Sequence, residues 1–193
     1  MRERKRSLEN TDPLSYSQEN IWALEQSFPG TPMNNICATM RIRGRLDIAL
    51  IQKSLHLVIQ SDPSLRTQLT LVDGSPRQYQ AEHEEAPSPF FDFTMTNQNG
   101  FRQWEAAVTR DQMPLLDSPL YFFAIFKLGE NDGGVIIKTH HLISDGWSQV
   151  LIGNRFSELY LKFLAAEPGQ YATITAEPAP SYHGHLDAEQ KYL

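Results

Sequence analysis

Two adjacent histidines and an aspartate four residues on are the side chains of this sequence best suited to moving a proton. They lie in the run His140-His141-Leu142-Ile143-Ser144-Asp145-Gly146-Trp147-Ser148. An imidazole titrates near ~6.5, so at neutral pH it can accept a proton or hold an amine by a hydrogen bond. The elements around the run fix what these groups can face. Upstream, Gly133-Gly134-Val135-Ile136-Ile137-Lys138-Thr139 is short and β-branched and reads as a buried strand. Downstream, Trp147, Val150, Leu151, Phe156, Leu159, Tyr160, Phe163 and Leu164 fall mostly at helical spacing and predict a long amphipathic helix. The histidines and the aspartate therefore sit in a strand-to-helix loop, where rigid elements can hold polar groups toward a cleft. Side chains alternate along a strand, so one histidine at most serves a given cleft. By parity His141 continues the row Val135, Ile137, Thr139, and His140 the row Ile136, Lys138. Gly146 permits close backbone approach, and a helix starting there offers N–H groups and the positive end of its dipole.

The same residues admit other readings. Asp145 can orient His141 as in a hydrolase triad, cap the helix at Gly146, or pair with an arginine. The structural roles are favoured, because a cap or an ion pair explains the residue without chemistry. A zinc site from His140, His141 and Asp145 is disfavoured: histidines on opposite faces chelate poorly and no third ligand stands at a typical spacing. Taken alone, His140 and His141 read best as a buried structural pair. His56, His183 and His185 are read as incidental. Cys37 is read as a small packed side chain, since nothing nearby in sequence activates a thiol.

Composition narrows the classes. With 193 residues, 40% hydrophobic and 21% charged, the chain suits one domain or one large lobe. A net charge of −6 argues against a nucleic-acid partner, which needs a basic face. The single cysteine excludes an internal disulfide and suits a reducing compartment. No apolar run approaches the roughly 20 residues needed to span a bilayer. The basic start from Arg2 to Arg6 is followed by polar residues, not by the apolar core of a signal peptide. The expected location is the cytoplasm, with no membrane partner.

Residues 1–13 are expected to form a flexible leader. Ser15 or Ser17 should cap a helix with Ile21, Trp22, Leu24 and Phe28 as its buried stripe. Asn34 to Arg43 alternates like a strand ended by Gly44, and Asp47 caps a helix through Ser61 with Leu50, Ile51, Leu55, Val58 and Ile59 inward. Pro63 forces a turn, and Asp73-Gly74-Ser75-Pro76 joins two strands as a hairpin. Phe90 to Thr94 is a short strand, Phe101 to Gln112 a helix, and Tyr121 to Leu128 a strand joined to the histidine-bearing one through Gly129 to Gly134. Residues 167–180 read as a proline-bearing linker, and a helix resumes at Ser181.

The central run resembles the HHxxxDG signature of nonribosomal peptide synthetase condensation domains and of related acyltransferases with the chloramphenicol acetyltransferase fold. Trp147 and Ser148 extend the match. Ser15, Gln18, Trp22 and Leu24 are similar to the family's first motif, SxAQxRLWxL, which the chain leaves at Ser17, Asn20 and Ile21. Leu65-Arg66-Thr67 matches the end of its second motif, RHExLRT, while Ser61-Asp62-Pro63 replaces RHE. The resemblance implies that His141 is catalytic and that His140, Asp145, Gly146 and Arg66 are structural, with Arg66 the retained candidate to neutralise Asp145. Trp147 and Ser148 are expected to line the substrate tunnel.

The fold implied by the resemblance is α+β: a two-layer α/β sandwich lobe with a mixed sheet, half of a chloramphenicol acetyltransferase-like domain. Residues 14–166 would be the N-terminal lobe, and 167–193 the linker and start of the crossing to a C-terminal lobe not in this sequence. The implied reaction is amide formation between an acyl or peptidyl thioester and an aminoacyl thioester. Both would ride on phosphopantetheine arms of donor and acceptor carrier proteins, so that no cofactor and no metal belongs to this chain. An isolated lobe is expected to be inactive and prone to self-association. An ester-forming acyltransferase and a non-catalytic carrier-docking module are the alternatives. Epimerisation is disfavoured by Trp147-Ser148, and heterocyclisation by the absence of its aspartate-rich signature.

Overall fold

The computed structural model of the chain describes residues 10–82, 86–96 and 98–179. The expected leader up to residue 9, the helix from Ser181, and His183 and His185 lie outside the described residues.

The protein is organised around a mixed four-stranded sheet in the order β2-β7-β6-β5. Its strands are β2 (Asn35–Arg43), β5 (Phe90–Asp92), β6 (Tyr121–Gly129) and β7 (Asp132–His140). Strand β7 is central, antiparallel to β2 and β6, and β5 adds to β6 in parallel. A central strand is covered on both faces, which is why Gly133 to His140 is buried throughout. On one face lie α2 (Ile48–Ser61) and α4 (Gly146–Ala165). Leu55 and Val58 of α2 and Phe156 and Leu159 of α4 close the main core against Phe123, Ile125, Val135 and Ile137. This is the expected sandwich of helices on a mixed sheet. On the other face α3 (Gln98–Arg110) packs Val108 and Trp104 against Ala124 and Ile136.

Local sequence explains most boundaries. Asp47 caps α2, its side chain accepting from the Leu50 N–H at 3.1 Å. The hairpin of β3 (Thr67–Val72) and β4 (Ser75–Gln80) turns at Asp73 and Gly74, whose φ values of +51° and +80° are those that an Asp-Gly two-residue turn supplies. The β6–β7 connection is tighter than its glycines suggest. Asp132, Gly133 and Gly134 are already in the strand, and the turn is Glu130-Asn131.

Three expectations change. The leader is shorter at its end: β1 (Asp12–Pro13) pairs with Gln78 and Arg77 of β4, and Thr11 is buried. Residues 168–173 form a 3-10 turn and are not a free linker. Tyr171 meets Phe163 edge-on at 5.6 Å, and the Ala179 N–H donates to the Ser61 carbonyl. Finally, α1 (Tyr16–Ser27) does not bury the stripe its apolar residues outline. Leu24 and Phe28 are exposed, whereas Gln18 and Glu25 are buried. Of the stripe, Ile21 and Trp22 are half-buried and pack against Leu14, Leu69, Leu120 and Leu142, while Gln18 and Glu25 on the same helix are drawn in by the Leu142 carbonyl and His140 at the end of β7.

Candidate active site

The strand ends at His140, and this decides the fate of both histidines. His140 continues the row of Ile136 and Lys138, as parity requires, and is buried. His141 has left the strand. It occupies the following turn and is exposed, so the alternation that would have set it beside Thr139 no longer applies. The Thr139 hydroxyl meets Ser144 Oγ and accepts from Gln149 Nε2 on α4, which tethers the strand end to the first turns of that helix.

The turn carrying His141 is held at several backbone groups. The His140 N–H donates to the Leu120 carbonyl at 2.9 Å, and the His141 N–H to the Asn34 carbonyl at 2.9 Å. The Leu142 N–H donates to His140 Nδ1 at 3.1 Å, and the Leu142 carbonyl accepts from Gln18 Nε2 at 3.0 Å. Gln18 is itself paired with Gln78 across the β-hairpin sheet, and it closes a capping box with Ser15. The N-cap is therefore Ser15, not Ser17.

Behind the turn lies a buried polar cluster that sequence reasoning missed. Glu25 Oε1 accepts from Asn34 Nδ2 at 2.6 Å and from His140 Nε2 at 3.2 Å, with both ionisable side chains only 3% exposed. An imidazole whose Nδ1 accepts a hydrogen bond carries its single proton on Nε2. His140 is thus the neutral Nε2–H tautomer, donating to a carboxylate. Burial drives its pKa below the ordinary value, and Lys138 and His141 push the same way, while Glu25 opposes them. The sign of the resulting pH effect is fixed. Unfolded, the imidazole binds a proton below about pH 6.5; folded, it resists doing so. We expect stability to fall as pH drops through 6.5 toward the folded pKa, and the slope to flatten in His140→Gln, measured by thermal melts from about pH 5 to 8. An equal slope in both proteins contradicts the assignment.

Asp145 is the N-cap of α4. Its Oδ1 accepts from the Ser148 N–H and from Ser148 Oγ, each at 2.7 Å, and Ser148 Oγ in turn accepts from the Asp145 N–H. These bonds to the Ser148 backbone and hydroxyl, and a weaker one to the Trp147 N–H, hold its carboxyl below the usual carboxylate range. The Ser148 N–H at the helix start is in this way taken by the helix's own cap. Arg66 is not the partner of Asp145. It ends a 3-10 turn, Ser64–Arg66, half-buried, and its Nε has no hydrogen-bond partner. The physical reason is that a cap already satisfies the carboxylate. Asp145→Ala is expected to cost about 1 kcal/mol of stability, and Arg66→Ala should add to it independently, both read from denaturant melts. Strong coupling between the two would restore the ion pair.

Gly146 opens the helix with free space around it, and Trp147, Val150 and Leu151 are exposed on its first turns. Ser148 is half-buried and engaged with Asp145. Cys37 is half-buried, and burial pushes its thiol pKa up, which makes it a poorer nucleophile. Among the described residues no three His, Cys, Asp or Glu side chains gather as metal ligands. No helix of the described residues is long and apolar enough to cross a membrane. A groove of about 550 Å³ includes His56, Lys53, Phe163 and Tyr171 in its lining but no residue of the 140–148 run.

The mixed sheet, the central strand ending at buried His140 with His141 exposed just beyond it, and the capped long helix fit the chloramphenicol acetyltransferase-like class that the resemblance implies. Within it, the family described as Condensation domain matches residues 8–193, and the chain belongs to that family. It is 27% identical over 186 residues to surfactin synthase subunit 1 of Bacillus subtilis (strain 168), covering 93% of this chain and 5% of that protein. Tyrocidine synthase 2 of Brevibacillus parabrevis is 31% identical over 152 residues, covering 77% of this chain and 4% of that protein. Among solved structures, the starter condensation domain of rhizomide synthetase RzmA superposes with a TM-score of 0.78 at 25% identity, over 94% of this chain and 43% of that one. The first condensation domain of the CDA synthetase gives a TM-score of 0.76 at 21% identity, over 94% and 46%. The chain thus spans less than half the length of these solved domains and a few per cent of the synthetases.

Proposed function

We propose that this chain is the N-terminal lobe of a nonribosomal peptide synthetase condensation domain and supplies His141 to amide-bond formation. The observation that carries this reading is the contrast within the histidine pair: His140 is locked and neutral, while His141 stands exposed on a turn held through its own N–H and the backbone of Leu142. Amide formation needs an amine to attack a thioester carbonyl; the nitrogen loses a proton as the C–N bond forms, and the thiolate leaves. The His141 imidazole is suited to accept that proton or to hold the amine in position. Asp145 acts as a helix cap, and its bonds to Ser148 support that role over a triad role.

The donor and acceptor are thioesters on phosphopantetheine arms of two carrier proteins, so the arms arrive with the substrates. The exposed Trp147, Val150 and Leu151 on the first turns of the helix that follows His141 support a second lobe closing over this face, with Trp147 lining the tunnel between them. Alone, the lobe is inactive and tends to self-associate through the same apolar surface. The test is reconstitution: the chain is supplied with a C-terminal condensation lobe, in one polypeptide or in trans, with both loaded carriers, and amide product is followed by mass. Product only when both lobes and His141 are present supports the reading. Full activity of the 193-residue chain as a monomer overturns it.

A further inference from the structure

We propose that Glu25 is a positioning residue for His141, acting through His140 and Asn34; the inference rests on the reading of His141 as the reacting group. Among the bonds that fix the His141 turn are those of its own N–H and of the Leu142 N–H. The first bonds to the Asn34 carbonyl and the second to His140 Nδ1. Glu25 Oε1 accepts from the side chains of both these residues. One carboxylate oxygen therefore anchors two of the supports of the exposed histidine.

Stability does not require such a group there. Burying a carboxylate is costly, and an apolar side chain of similar size often serves a fold as well or better. What an apolar side chain cannot do is accept from two donors at once. The acceptor also sets chemistry in the turn: by taking the Nε2 proton of His140, it leaves Nδ1 free to receive the Leu142 N–H. Without it, His140 can rotate or change tautomer, and the Leu142 N–H loses its partner. Glu25 lies seven residues after Gln18, which holds the Leu142 carbonyl, so one face of α1 grips the turn at two points.

The test compares Glu25→Gln, whose amide oxygen can still accept from both donors, with Glu25→Met, similar in length but without an acceptor. Two readouts are taken: hydrogen exchange of the His141 and Leu142 amides in this chain, and kcat and KM for condensation by a polypeptide joining it to a C-terminal lobe. Glu25→Met is expected to expose both amides and to lower kcat about 10- to 100-fold, the scale of a misplaced catalytic group. KM for the carrier-bound acceptor should stay within about twofold, and Glu25→Gln should restore most of kcat and of the protection. Asn34→Ala, which removes one donor, should lower kcat less and serves where Glu25→Met does not fold. Wild-type kcat in Glu25→Met or Asn34→Ala overturns the proposal, as does a Gln variant no better than Met. His141→Ala run alongside separates the two readings. If it leaves the rate unchanged, the proposed function fails, and amide exchange alone then decides whether Glu25 orders the turn.

Discussion

His141→Ala in a two-lobed domain carrying this chain is expected to lower amide formation by about 10²–10⁴-fold, the range for losing a positioned acid–base group. The fold should survive, because His141 is exposed and is held to its neighbours through its backbone N–H. Exposure also separates the histidines experimentally. His140→Ala removes the acceptor of the Leu142 N–H and leaves the Glu25 carboxylate with one donor fewer. It should therefore lose stability as well as rate, where His141→Ala loses rate alone. The measurement is single-turnover product formation with both carriers loaded, beside thermal melts of each variant. Near-wild-type turnover in a folded His141→Ala protein removes the catalytic assignment.

Gly134→Ala should be the most destabilising single methyl on the central sheet, by about 3 kcal/mol or more. A Cβ at this position would lie 1.9 Å from the Met40 carbonyl oxygen and 2.9 Å from the Phe126 ring. The first of these is backbone of the neighbouring strand and cannot rotate away. Its φ of +158° adds a further restriction on an L side chain. Since β7 runs from this glycine directly to His140, displacing it should also move the His141 turn, and activity should fall with stability. Gly146→Ala is the control: nothing lies within 4 Å of its added Cβ, so a small effect is expected there. Equal melting midpoints for Gly134→Ala and the unsubstituted protein would contradict the close strand contact.

Much of the architecture is legible because it is written in local signals. Asp-Gly with two positive φ values makes the β3–β4 turn, Asp47 and Asp145 cap their helices, and β-branched alternation marks β2 and β7. The inward row of α2 is also legible: Leu50, Ile51, Leu55, Val58 and Ile59 are all buried. Where pattern and structure part, one cause is at work. Leu24 and Phe28 at α1, and Trp147, Val150 and Leu151 on α4, are apolar at helical spacing yet exposed. Periodicity marks an apolar face but does not say whether anything packs on it. The burial of Glu25 is hidden in the same way, since a helical glutamate is charged in sequence whatever it meets in space. Its spacing of seven from Gln18, around Ile21 and Trp22, is the one local signal of a shared face.

By itself the sequence determined most of the elements, several of their caps and turns, the family, and the pair of histidines on which the proposed site depends. Each of these rests on interactions within a few residues, or on a motif contiguous in the chain. Only the tertiary structure decided which histidine is free, because that turns on where β7 stops and on what α1 brings to its end. His140 is fixed by Glu25, 115 residues away in the chain, and Leu142 by Gln18, 124 residues away. It likewise decided that Asp145 caps α4 with Arg66 left out, since a cap 3 residues distant satisfies the carboxylate before any long-range arginine is needed. Contacts across such separations are set by packing of whole elements, and no local pattern in the chain encodes them.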